Sequence, residues 1–279
     1  MINLKTAHEI DLMARAGTLL ASVLPPLREA CVPGVKTIEL DRIAERLIRQ
    51  GGATPGFLGY HGYPRTICVS INDEAVHGIP GNRKVAAGDL VSLDLGLVLE
   101  GFWADVGITV GVGKITPEAE KLLKVTEEAL YVGIQKARPG GWLGDISSAI
   151  QKHVEANGFS VIRQFVGHGI GRQMHEDPQV PNFGAPGTPP KLKAGMTLAI
   201  EPMVNAGGHE VYMKPDGWTI CTVDGGLSAY FEHTVAITDK GPLILTALPT
   251  LSRAQGGASG RSARPAASRG VSHHQLDGA

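Results

Sequence analysis

The stretch from Gly88 to Val110 constrains this chain most. Two apolar, β-branched runs flank Leu99-Glu100-Gly101, and each run carries one aspartate, Asp94 and Asp105. That pattern predicts a β-hairpin. A turn centred between Leu99 and Glu100 sets Asp94 directly opposite Asp105, with β-carbons about 5 Å apart, where like charges destabilise a sheet. Both acids also lie in apolar surroundings, in which an unpaired carboxylate is costly to bury. Three readings stay open: one acid is protonated, a cation sits between them, or the register is looser and the two never meet.

The flanking chain reads as alternating helices and strands. Thr6 and Glu9 form a capping box for a helix running to about Ser22, where Pro25-Pro26 marks the stop. Thr37 caps a second helix that ends at Gly51-Gly52, and a strand follows at 66–71. Thr116-Pro117 then opens a long helix in the favoured cap-then-proline order. The pattern restarts there. Pro33-Gly34 to Gly52 matches Pro139-Gly140 to Gly158 at an offset of 106, and the Ala-Gly strand ending in Asp94 matches one ending in Glu201 at 107. Two long copies with one order of elements predict a pseudo-symmetric pair of α/β halves. Another acid, Glu232, sits in a strand read over 229–237.

Composition excludes several classes. With 43% hydrophobic and 19% charged residues and a net charge of −1, the chain carries no global field that points to DNA or to an acidic surface. Its N-terminus lacks a basic-then-apolar leader, and no run reaches the ~18 apolar residues of a membrane span. Three widely spaced cysteines, Cys31, Cys68 and Cys221, suggest free thiols in a reducing compartment, so a cytoplasmic location is expected. The Gly/Ala/Ser/Arg-rich residues 250–279 bury too little apolar surface to order themselves and are expected to be a disordered tail. Its arginines offer a basic surface for transient ribosome contact.

Histidines cluster as strongly as the acids. His168 lies in Gly167-His-Gly-Ile-Gly171, His175 follows seven residues on, and His77 precedes Gly78 in a turn. Asp94, Asp105, His168, Glu201 and Glu232, with the hairpin spacing of eleven and the glycines around His168, resemble the methionine aminopeptidases of type I over residues 2–248. The resemblance implies a pita-bread fold: two pseudo-symmetric α/β halves around a curved antiparallel sheet, filling residues 1–249. It implies a metal-dependent monomer that removes the initiator methionine from nascent chains when the second residue is small.

The five residues would hold two divalent ions (cobalt, manganese, iron(II) or zinc), whose shared, acidified water attacks the scissile carbonyl. By the same resemblance Glu201 takes and passes the proton, His175 bonds the carbonyl as it becomes an oxyanion, and His77 holds the leaving amide nitrogen. The methionine pocket would be lined by Tyr60, Tyr63, Cys68, Met174 and Trp218, with Phe57 nearby. Met174, Phe57, Trp103-Ala104 and Phe183 depart from the family's usual residues without removing a ligand. Two alternatives fit less well. A non-catalytic binding protein on this fold usually lacks metal ligands. An X-Pro-cleaving sibling carries a large N-terminal domain.

Overall fold

The computed structural model of the chain describes residues 1–247; the expected tail at 250–279 lies outside the described residues. The first half contributes α1 (Ala7–Ala30), α2 (Thr37–Gln50), β1 (Thr54–Pro55), a 3-10 turn at Tyr60–Gly62, β2 (Ile67–Ile71), β3 (Glu74–Val76), β4 (Leu90–Leu99) and β5 (Phe102–Gly111). The second contributes α3 (Pro117–Lys136), α4 (Leu143–Ala156), β6 (Ser160–Val161), β7 (Gly167–Gly169), β8 (Glu176–Val180), β9 (Thr197–Ile200) and β10 (Met203–Asn205). It closes with β11 (Val211–Met213), β12 (Ile220–Thr222), β13 (Ser228–Tyr230), β14 (Glu232–Thr238) and β15 (Gly241–Ile244).

A nine-stranded antiparallel sheet joins the halves in the order β1-β4-β5-β14-β9-β7-β8, with β2 also on β4 and β15 also on β14. Alternation along β4 and β5 explains its two faces. Val91, Leu93, Leu95, Leu97, Ala104, Val106 and Val110 turn to one side and pack with α1 and α2. The second half repeats this, with Leu198, Ile200, Val235 and Ile237 packing against α3 and α4. The opposite face carries Ser92, Asp94, Gly96, Asp105, Gly107 and Thr109, and there the site is built. This is the two-half arrangement around a curved sheet expected above. The repeat extends to the backbone: Gly34 and Gly140 hold φ of 93° and 87°, Gly88 and Gly195 of 97° and 91°. Corresponding turns thus use the same left-handed conformation, which only glycine adopts freely.

Helix starts at Thr6 and Thr116 are as expected, with Thr6 and Glu9 forming a capping box and Thr116 accepting from Ala119 N–H. Other boundaries differ. The first helix runs through Pro25 and Pro26 to Ala30 instead of stopping before them. An interior proline costs roughly 3 kcal/mol, but Leu20, Val23, Leu24 and Leu27 on both sides of the pair are buried, each worth roughly 1.5–3 kcal/mol. Burial therefore carries the helix past its breakers. Among the described residues α1 alone is long and apolar enough to cross a membrane by length and composition. Its apolar stripe is spent instead on the core beneath β4 and β5.

The cap of α2 is Lys36, not Thr37. The Thr37 hydroxyl accepts from Gly81 N–H at 2.8 Å and donates to Gly81 C=O at 3.2 Å, tying the helix start to a distant loop. The strand read as continuous over 229–237 breaks at Phe231. Before the break β13 pairs β10 in a three-stranded sheet, and after it β14 enters the large sheet.

Candidate metal-dependent active site

The register of the hairpin follows from its turn. Glu100 and Gly101 hold φ of 51° and 80°, so they form a two-residue loop with both central residues left-handed, the geometry whose twist suits a hairpin. Leu99 then pairs with Phe102, Asp94 with Gly107 and Gly96 with Asp105. The direct opposition of Asp94 and Asp105 expected from the sequence is corrected: they stand diagonally on one face, two residues out of step.

That register sets two neighbouring rows across the sheet. One runs Cys68, Asp94, Gly107, Glu232 through pairs β2–β4, β4–β5 and β5–β14. The next contains Gly96, Asp105, Thr234, Ala199 and His168: Gly96 pairs Asp105, Thr234 pairs Ala199, and Ala199 pairs His168. The Thr234 hydroxyl bridges the halves, accepting from Asp105 N–H at 3.0 Å and donating to Asp105 C=O at 2.8 Å. Glu201 leaves the end of β9, whose last residue Ile200 pairs His233, and its Oε1 lies 3.5 Å from Nε2 of His168. Candidate ligands from four strands, β4, β5, β7 and β14, and from the end of β9 thereby lie on one side of the sheet.

Asp105, His168 and Glu232 each offer a ligand atom within 4.8 Å of the others'. Nδ1 of His168 lies 2.8 Å from Gly169 C=O. Only an Nδ1–H can pair with that oxygen, so Nε2 keeps its lone pair for the cluster. Asp94 Oδ1, Asp105 Oδ1 and Glu232 Oε1 are buried without a hydrogen-bond partner. Burial raises the Asp94 carboxyl to about 7. Burial, then the charges of neighbouring acids, pushes Asp105, Glu201 and Glu232 well above the carboxylate range. Four acids buried together resist ionising at once; a bound cation would satisfy the orphaned oxygens and favour the charged forms. The donor set, oxygens with one imidazole, fits a divalent ion of the manganese, iron(II) or cobalt kind.

The auxiliary histidines flank this cluster. His175 stacks edge-on to His168 with ring centroids 4.4 Å apart, and its Nδ1 is 2.8 Å from the Tyr60 hydroxyl. His77 is held at φ 60°, a region that non-glycine residues occupy at a cost where function over-determines the backbone. Its ring meets Phe165 edge-on at 5.5 Å. Burial, and then His175, lowers His77 to about 4, so its ring is neutral near pH 7.

Phe57, Tyr63 and Cys68 form a buried cluster with Ile79, Met174 and Trp218 packed against it. The Tyr63 and Trp218 rings meet edge-on at 5.0 Å. A β-carbon on Gly96 would sit 2.5 Å from the Phe57 ring, so the glycine in the second row is what admits that ring. The Tyr60 ring stands beside those of His175 and Trp103, with centroids 5.7 and 5.6 Å away.

The sequence reading missed Ile79, Phe165 and above all Tyr230, whose hydroxyl donates to Oε2 of Glu232 at 2.5 Å. Burial and the surrounding acids push that hydroxyl well above its usual range, so it stays protonated. The one signal available was its position two residues before Glu232 in an apolar run.

A model of the metallopeptidase family M24 matches residues 11–239. A methionine aminopeptidase of Clostridium perfringens is 56% identical over 246 residues, covering 88% of this chain and 99% of that relative. Methionine aminopeptidase 1 of Bacillus subtilis is 52% identical over the same shares. The crystal structure of methionine aminopeptidase from Thermotoga maritima superposes with a TM-score of 0.87 at 46% identity, covering 88% of this chain and 99% of that one. A prolidase from Pyrococcus furiosus shares the fold alone, at 23% identity and a TM-score of 0.72, and this chain spans 65% of it. With a family model spanning most of its length and close relatives matched nearly end to end, the chain belongs to metallopeptidase family M24.

Proposed function

We propose that this protein is a methionine aminopeptidase that hydrolyses the N-terminal methionine of nascent proteins when the second residue is small. The observation that carries the reading is the gathering of Asp105, His168 and Glu232 ligand atoms within 4.8 Å of one another, with buried oxygens of Asp94, Asp105 and Glu232 left without hydrogen-bond partners. Asp94, Asp105, His168, Glu201 and Glu232 would hold two divalent ions. Such ions supply a Lewis acid for the peptide carbonyl and an acidified water near neutral pH.

The chain's own residues do the rest. Phe57, Tyr63, Cys68, Met174 and Trp218 receive the methionine side chain, whose thioether contacts ring edges favourably. Glu201 takes the proton of the attacking water and passes it to the departing amine. His175, with Nδ1 accepting from the Tyr60 hydroxyl, presents Nε2–H to the carbonyl oxygen as it gains charge. His77 bonds the nitrogen of the leaving peptide. The free cysteines Cys31, Cys68 and Cys221, all buried, support a reducing, cytoplasmic setting.

The X-Pro-cleaving and non-catalytic readings are not favoured, given relatives of high identity that are methionine aminopeptidases. The test is release of the first residue from Met-Ala-Ser by chelator-stripped protein given back Mn(II), Fe(II), Co(II) or Zn(II). Met-Ala-Ser alone is expected to be cut, with Met-Lys-Ser and an Ala-Pro peptide intact. Cleavage of Ala-Pro, or silence under every metal, overturns the reading.

A further inference from the structure

Tyr230 does more than fill the core. It belongs to β13, in a different sheet from the metal-site rows, yet its ring lies over them. Gly107 stands between Asp94 and Glu232 in the first row, paired to both. A β-carbon on Gly107 would come 2.1 Å from the Tyr230 ring. The glycine's φ is unremarkable, so it is needed there for space, not for backbone freedom. The Thr109 hydroxyl accepts from Tyr230 N–H and donates to Tyr230 C=O, both at 2.8 Å, and pins the residue to β5. Ring and backbone are therefore both fixed, and the hydroxyl has one partner, Oε2 of Glu232. Oε1 of the same carboxylate has none.

We infer that Tyr230 is a positioning residue for the metal centre, which makes the two oxygens of Glu232 unequal. Oε1 is held in place with its lone pairs free, whereas Oε2 shares its electron density with a phenol. An ion bound through Oε1 gains from the fixed carboxylate, and an ion that needs Oε2 must compete with the hydrogen bond. The tyrosine thus separates the affinities of the two ions. This rests on the two-ion reading of the site given above.

The test is titration of the metal-free full chain with Mn(II), followed by calorimetry and by the electron paramagnetic resonance signal at one equivalent. In the unaltered protein that signal is expected to be that of an isolated ion. Tyr230→Phe should weaken the first ion by roughly 10–100-fold, the usual cost of losing a group that orients a ligand, and tighten the second. The gap then narrows, and a spin-coupled pair forms at one equivalent. Gly107→Ala, which displaces the ring, should do the same. Replacement of Tyr230 by 3-fluorotyrosine keeps the ring and strengthens the donor, so it should widen the gap even if the other variants fold poorly. A gap unchanged in Tyr230→Phe and with fluorotyrosine, or both ions weakened equally, overturns the inference. Failure of the unaltered chain to bind Mn(II) would instead sink the metallopeptidase reading of the site.

Discussion

The two halves bring their proposed metal ligands to the centre by different means. In the first, Asp94 and Asp105 ride on β4 and β5, two ten-residue strands paired along their whole length. In the second, His168, Glu201 and Glu232 come from β7, the end of β9 and the first residue of β14, of three, four and seven residues. Only two residue pairs, Glu232 with Gly107 and His233 with Val106, join β14 to β5. Side-chain bonds supply what the short strands lack: Thr234 to Asp105, Tyr230 to Glu232, and His233 Nδ1 to the Thr246 hydroxyl at 2.9 Å. A long local ladder positions two acids, while the other three ligands depend on contacts between distant segments.

The largest effects should ignore this contrast. Asp94→Asn and Glu232→Gln each neutralise a proposed metal ligand and should lower kcat/KM by about 10³-fold, with loss of bound metal by elemental analysis. Full metal content in either would break the picture of one shared centre. His175→Ala should keep its metal and lose about 10²–10³-fold in kcat, read by steady-state kinetics on Met-Ala-Ser; a near-normal kcat would remove it from the proposed chemistry.

Stability against pH probes the rows directly. Burial raises the Asp94 carboxyl to about 7 in the folded, metal-free protein, against roughly 3.9 in the unfolded chain. Above the unfolded value the native state holds more protons, and Asp105, Glu201 and Glu232 are raised further still, so stability falls as pH rises from about 4 through 7 and beyond. Thermal melts of chelated protein should show that slope, and added Mn(II) should flatten it. A metal-free melt independent of pH would mean the acids are paired some other way.

The smallest effects should separate the halves. Thr234→Val leaves Asp105 N–H and C=O without that partner and should cost about 1–3 kcal/mol in urea unfolding. Ser92→Ala removes a hydroxyl bonded to Thr109 at 2.8 Å inside the long hairpin and should cost about 0.5–1.5 kcal/mol, with activity nearly intact. Equal loss of activity in both would show that the halves are held alike after all.

Much of this was legible in the chain. The alternation of Val91, Leu93, Leu95 and Leu97 with Ser92, Asp94 and Gly96 marks which face meets the helices, because side chains alternate across a strand. Thr6-Glu9 and Thr116-Pro117 mark helix starts through bonds that close within one turn. The matched glycines reveal the repeat. Local signals misled where a distant partner outweighed them. Pro25-Pro26 reads as a stop, but buried leucines continue the helix. Thr37 reads as a cap, yet its hydroxyl is taken by Gly81, 44 residues away.

The sequence alone determined the chemical kind of each ligand, the faces of the strands and the two-fold order of helices and strands, since these follow from side-chain type and short-range geometry. Tertiary structure decided which oxygens are left without partners. It also set the diagonal offset of Asp94 and Asp105 and the ring that lies over Gly107. A two-residue change of register relocates every cross-strand neighbour, and the β5–β14 pairing joins residues more than a hundred positions apart. Those distances are closed only when both halves fold against one sheet.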